Sequence, residues 1–382
     1  MPSINAGTLP QNFLQSVSAG MRLPQPEPQY WFARMALGGR LSFAALNAGQ
    51  STVQQFVSMA GGGDSTPLAL DAMVRAADAY PGAVVAIDDF GKGMGDTIKL
   101  RRPIYSGGGY DLASRQVQAD KATSTTGQAI TAEEVPIVLQ EYEGPYGPSG
   151  AVQPYAIRSF DARYRANKDE LATLVTGHLS RDYIKWMDTV IRDQFRKSLS
   201  IANGGVTLSD SQASVSGFVA GSGHTANLEL LLNARKSLSD REWAPFPNGR
   251  YMCLVPTSFN VQMLGDPDWR ALSAQHGKDK NLAFGYIGSI QDLDIFECTT
   301  LKSYAATETP PGDTNAVPAS QTVFEGMIIG PGVVGMGTAQ NPEARFADDT
   351  DYGKMAKVLW NAVHAFETID NRGVQRFLFA SS

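Results

Sequence analysis

The segment from Tyr105 to Glu134 constrains this chain more than any other. It is a stretch of roughly thirty residues dominated by Gly, Ser, Thr, Gln and Ala, set between two strand-like patterns, whereas connections inside a compact domain usually run to a handful of residues. Before it, Asp96 to Ile104 alternates Ile98 and Leu100 with Thr97, Lys99 and Arg101, the period of two expected of a half-buried strand. After it, the apolar groups Val135 to Tyr142 and Val152 to Phe160 read as returning strands. Two readings stay open at this point: a hairpin-like excursion that leaves the body and rests on another molecule, or a disordered surface loop.

A second constraint is the segment Lys168 to Ile201. There Leu171, Leu174, Val175, Leu179, Tyr183, Met187, Val190, Ile191, Phe195 and Leu199 recur at three- and four-residue spacing, which predicts an amphipathic helix roughly 50 Å long. Asp169 and Glu170 in the first turn and Arg192, Arg196 and Lys197 near the end suit the helix dipole. Asp188 with Arg192 and Asp193 with Lys197 are expected i,i+4 pairs, and Asn203, Gly204 and Gly205 are expected to stop the helix.

Met1 to Ser65 carries Phe13, Leu14, Trp31, Phe32, Met35, Leu41 and Phe43 without a sustained period. It is too apolar for a solvated tail and too irregular to make its own core, so it is expected to be buried against something else. Gly61 to Pro67 then reads as a loop into a helix carrying Leu68, Leu70, Met73, Val74 and Ala77. Beyond the long helix we expect a helix over Ala226 to Leu238, a strand Tyr251 to Val255 behind the Asn248-Gly249 turn, and a short helix opened by Asp266 and Pro267 that carries Trp269 and Leu272. Leu293 to Cys298 is a further strand, Gly326 to Gly337 is a run where only small residues fit, and Val358 to Phe366 and Val374 to Phe379 are closing strand runs.

Composition narrows the function. In 382 residues, 32 basic side chains against 38 acidic ones leave a net charge of -6, which disfavours sequence-specific nucleic-acid binding. Hydrophobic residues at 43% exclude a disordered chain. Cys253 and Cys298 make no disulfide framework and no zinc spacing, which reads as a reducing compartment or one where redox state is irrelevant. No basic-apolar leader and no run of eighteen apolar residues occurs, so secretion and membrane spanning are disfavoured.

No catalytic constellation emerges. His178, His224, His276 and His364 lie far apart and read as structural imidazoles. Gly221-Ser222-Gly223-His224 is linker chemistry and not a nucleophile elbow, and Gly91-Lys92-Gly93-Met94-Gly95 lacks the spacing of a phosphate-binding loop. Asp348, Asp349 and Asp351 with Gly353 resemble a calcium loop in part, but Trp360 stands where the bidentate Glu should be. Asp88 and Asp89 are adjacent and would face opposite sides of a strand. We therefore expect no catalytic, cofactor or metal residues.

The order of arm, long β-loop, long helix, mixed α/β lobe and final strands resembles the major capsid proteins of tailed double-stranded DNA bacteriophages, the HK97-like fold. Gly95-Asp96-Thr97-Ile98, Gly285-Tyr286-Ile287-Gly288 before Leu293 to Cys298, and Val358-Leu359-Trp360 look most like the coat family typified by the N-four-type phages. Gln291-Asp292 departs from it, since small residues and often glycine are expected there.

The resemblance implies an α+β fold divided as follows: N-terminal arm 1–65, helix and connection 66–95, E-loop with flanking strands 96–160, peripheral domain with its spine helix 161–225, a mixed α/β axial domain 226–340, and a return to the peripheral domain over 341–382. It implies a non-enzymatic shell subunit of the virion, assembled in the bacterial host cytoplasm. Its partners would be other copies of itself in hexamers and pentamers, portal and separate scaffolding proteins, a cement or decoration protein, and packaged DNA in non-specific proximity, with no membrane. Closed shells need heterologous contacts, which arms and loops lying on neighbours supply; mild negative charge keeps a wall from gripping its DNA. Two alternatives remain: the shell of a cellular nanocompartment, and an α/β enzyme with a dispersed site.

Overall fold

The computed structural model describes residues 31–33, 35, 83–87, 97–104, 131–147, 151–158, 168–218, 223–269, 286–319, 321–348 and 355–381. The strands are β1 (Val84–Ile87), β2 (Thr97–Ile104), β3 (Thr131–Val138), β4 (Gln140–Gly144), β5 (Tyr155–Arg158), β6 (Val206–Leu208), β7 (Tyr251–Val255), β8 (Tyr286–Ile290), β9 (Leu293–Glu297), β10 (Ser303–Tyr304), β11 (Val323–Ile329), β12 (Val334–Asp348), β13 (Met355–Thr368) and β14 (Val374–Ala380). The helices are α1 (Lys168–Phe195), α2 (Leu228–Asp240) and α3 (Thr257–Met263).

Two sheets carry the body. One runs β1-β12-β13-β4 with β5 also on β13; the other runs β6-β14-β11-β7-β9-β8 with β10 on β11. In β7, Tyr251, Cys253 and Val255 enter one core cluster and Met252 and Leu254 the other, so this central strand is apolar on both faces and reads as a continuous hydrophobic run. α2 and α3 cover one face of that sheet with Leu230, Leu231, Leu238, Phe259 and Met263. Asn227 caps α2 by accepting from the Leu230 N–H at 2.8 Å, and Asp266 accepts from the N–H groups of both Asp268 and Leu228, joining the two helical segments.

α1 is 28 residues, about 42 Å at the helical rise, and ends earlier than the expected Ile201. It buries Val175, Leu179, Tyr183, Ile184, Met187, Ile191 and Phe195, with β13 supplying Val358, Trp360, Ala362 and Phe366 to the same cluster. Leu174, counted in the apolar stripe, is instead exposed. The expected ion pairs also differ. Asp193 meets Arg192 and Arg196, and Lys197 reaches Glu367, while Asp188 points into the core and accepts backbone hydrogen bonds there.

The leading segment requires a correction. Trp31, Phe32 and Met35, expected to find cover on another molecule, are buried in their own subunit beside α1 and β9. Asp188 Oδ1 accepts from the Phe32 and Ala33 N–H groups, and the Trp31 ring packs on Phe296. The helix expected after Pro67 and the segment 105–130 lie outside the described residues.

β12 runs through residue 340 within the five-stranded sheet, while β14 lies between β11 and β6 in the seven-stranded one. All seven β14 residues are buried, and such a strand needs a neighbour on each edge and cover on each face. The small-residue run is explained by contact: a Cβ on Gly326 would overlap the Phe377 ring, and one on Gly330 the Trp243 indole. Gln291, where glycine was expected, adopts φ 51° in the two-residue turn between β8 and β9, and Arg235 holds its neighbour Asp292 through two bonds of 2.7 Å.

Candidate assembly surfaces

β2 and β3 form a two-stranded antiparallel ribbon, paired without a break from Thr97↔Val138 to Ile104↔Thr131. Eight residues of strand extend roughly 27 Å. Opposite residues share a face, so Ile98 with Ile137 and Leu100 with Val135 make one apolar side. Its root is fixed where Ile137, fully buried, packs with Ile87 and Ala365. Farther out, Lys99 and Glu134 form an exposed ion pair at 2.9 Å, while at the root Val138, beside the buried Ile137, is 47% exposed. Among the described residues no third strand joins the ribbon. A lone hairpin is marginally stable in water and its edges are open to pairing.

The joint between α1 and the seven-stranded sheet is held by charge. Glu325 on β11 and Arg376 on β14 are both 0% exposed and meet at 2.5 Å. Glu325 also accepts from Arg196 Nε at 3.2 Å and from the Tyr304 hydroxyl at 2.5 Å. Arg196, at the end of α1, donates in turn to that hydroxyl. Burial first, and then the Glu325 charge, push the Tyr304 pKa upward. Burial alone would lower the Arg196 pKa, but Glu325 and Tyr304 outweigh it and raise it. The cluster thus sets two guanidinium groups around the buried Glu325 carboxylate, with Asp193 taking a second Arg196 donor at 3.0 Å and Pro311 O a further Arg376 donor at 2.5 Å. The signal for it was present: Glu325 interrupts an otherwise apolar strand run, and Arg376 is the one charged residue in another.

No protein-family model and no curated protein sequence matches this chain. Solved structures do. It is similar to the capsid asymmetric unit of cyanophage Pam1, at 13% identity over 78% of this chain and 89% of that one, with a TM-score of 0.57. It is also similar to the capsid of Ralstonia phage GP4, at 10% identity over 78% of this chain and 87% of that one, with the same TM-score. The fold is that of a phage capsid subunit.

On this capsid fold the residues weighed as chemistry fall apart. His364 is buried, with Tyr183 Oη at 2.7 Å from Nε2 and Thr338 Oγ1 at 2.8 Å from Nδ1. His224 pairs with Asp210 at 2.8 Å, and His178 lies exposed against the Tyr155 ring. Cys253 and Cys298 are buried free thiols; burial drives both pKa values up, that of Cys298 to about 12. Trp360, at the position a calcium loop would give to Glu, is buried and donates its indole N–H to Asp182. Among the described residues no group of three or more His, Cys, Asp or Glu could hold a metal ion. Asp88, Asp89, Gly91 to Gly95, Ser222, His276, Asp349, Asp351 and Gly353 lie outside the described residues.

The surface of the capsid fold carries exposed apolar side chains, of which the periodic reading singled out only Leu174, and that as buried. Val261 and Leu264, one helical turn apart at the end of α3, are 67% and 56% exposed. Leu174, 55% exposed, sits one turn before His178 on α1.

Proposed function

We propose that this chain is the major capsid protein of a tailed phage, which self-assembles into the icosahedral shell around double-stranded DNA. The observation that carries the reading is the ribbon: a paired, rooted hairpin with one apolar side and open edges, on a fold shared over 78% of the chain with two phage capsid chains. A net charge of -6 suits a wall that encloses DNA without binding it. The likeness is to shell subunits, which supports a structural, non-enzymatic role in the virion. No described helix is long and apolar enough to cross a membrane.

The finer HK97-like arrangement belongs to the same proposal. The ribbon is the base of the E-loop, α1 the spine helix, the five-stranded sheet the peripheral domain, and the seven-stranded sheet with α2 and α3 the axial domain, with β14 allotted to the latter. The partners are other copies in hexamers and pentamers, a portal, a separate scaffolding protein and, on the outer face, a decoration protein; assembly takes place in the host cytoplasm.

Size-exclusion chromatography and negative-stain microscopy of the chain, expressed alone and with its scaffolding protein, test the reading. Closed particles tens of nanometres across are expected. A stable monomer that assembles under neither condition overturns it.

A further inference from the structure

A short piece of the leading segment closes the core of its own chain. Trp31, Phe32, Ala33 and Met35 share a buried cluster with Ala83, Val84, residues of α1, and residues of both sheets. The N–H groups of Phe32 and Ala33 converge on Asp188 Oδ1 at 2.9 and 3.1 Å. The Trp31 indole donates to the Glu297 carbonyl at 2.8 Å, its ring lies 4.8 Å from Phe296, and Phe32 lies 5.8 Å from Phe195. Asp188 is 1% exposed. A carboxylate so deep needs donors; these two amides bond its Oδ1, the Thr300 side chain also favours its charge, and Oδ2 is left without a hydrogen-bond partner. The receiving site and the segment therefore complete one another.

We propose that Trp31–Met35 is an intramolecular anchor that docks in the unassembled subunit and divides the leading segment into parts before and after a fixed point. The inference rests on the shell reading only in treating the free chain as a subunit.

Hydrogen exchange read by mass spectrometry on the full chain, held unassembled and checked by size exclusion, tests it. The peptide containing Phe32 and Ala33 is expected to be protected. Asp188→Ala should speed its exchange roughly tenfold or more, as the loss of charge-assisted hydrogen bonds implies, while β7 stays protected. Asp188→Asn, which keeps Oδ1 as acceptor, should restore protection, and removal of residues 1–30 should leave it unchanged. If Asp188→Ala exposes β7 as well, Trp31→Phe decides: it keeps a ring against Phe296 and loses only the bond to Glu297, so faster exchange confined to this peptide supports the anchor and no change overturns it. Unprotected amides in the unassembled wild type overturn it too, as does protection lost on removing residues 1–30 alone. Protection that arises only in particles sinks the anchor and leaves the shell reading standing. A protected anchor in a chain that never assembles does the reverse.

Discussion

Replacing Glu325 by Ala should be among the most damaging single changes available in the seven-stranded sheet. The carboxylate sits at 0% exposure and neutralises Arg376, also at 0%, from 2.5 Å, and Arg196 from 3.2 Å. Its removal leaves the buried Arg376 guanidinium with no counter-charge, leaves Arg196 only the half-exposed Asp193, and frees the Tyr304 hydroxyl of its acceptor. Breaking a buried pair from one side costs about 3–5 kcal/mol, whereas replacing both partners by apolar groups of similar volume is often neutral. Glu325→Ala, Glu325→Met and Arg376→Met should therefore each cost about 3–5 kcal/mol, and Glu325→Met combined with Arg376→Met clearly less than the sum of those two single changes. The non-additivity is the signature of a shared network.

The assay is guanidinium unfolding of the unassembled chain, followed by tryptophan fluorescence and analysed as a double-mutant cycle. A Glu325→Ala variant within about 1 kcal/mol of wild type would refute the reasoning, since an effect so small is what exposed pairs show. So would strict additivity of the two single changes. In either case the joint between α1 and the sheet would owe its stability to apolar packing alone.

Gly326→Ala should destabilise by about 1–3 kcal/mol, because the new Cβ would collide with the Phe377 ring; Gly177→Ala on α1, where nothing lies within 4 Å of the added atom, should stabilise by about 0.5–1 kcal/mol. Thermal melts of both variants check the contrast, and equal shifts would contradict it. Burial raises the Asp188 pKa above 3.8, against hydrogen bonds from Thr300, Ala33 and Phe32 and the Arg192 charge. The folded state therefore holds that proton more tightly than the unfolded one. This contribution is fully present below 3.8 and is lost as pH rises through the folded value. Stability measured across that window should accordingly shift in favour of Asp188→Asn over wild type as pH rises, and a shift the other way would reverse the assignment. Replacing residues 105–130 by an Asn-Gly turn, which the Ile104↔Thr131 pairing can accept, should leave a folded chain that no longer forms particles; retained assembly would count against the ribbon as a contact.

What could be read from the residues was whatever repeats locally. The stripe from Val175 to Phe195, the alternation around Ile98 and Leu100, and the unbroken run Tyr251 to Val255 state a period, and the period fixes which faces are apolar. The turn glycines and the Asp266 cap were legible for the same reason: each acts on neighbours two or three residues away. Pairing across the chain leaves no such trace. Val84–Ile87 runs parallel to Val334–Gly337, and Val374–Ala380 sits between strands drawn from 206–208 and 323–329, none of which changes the local pattern of the partner.

The Asp188 carboxylate shows why part of the assembly reading had to be revised. At the level of periodicity it was a charge on a helix, to be matched with Arg192 four residues on. In the fold that carboxyl group faces inward, and amides about 155 residues away hydrogen-bond its Oδ1. An apolar segment with no period of its own can be covered either by a neighbour or by a distant part of its own chain, and composition cannot distinguish the two. A buried acceptor waiting for backbone donors can. For Trp31 to Met35 that acceptor is intramolecular, so the physical case for contacts between copies falls on the ribbon, whose edges and outer side no described strand covers.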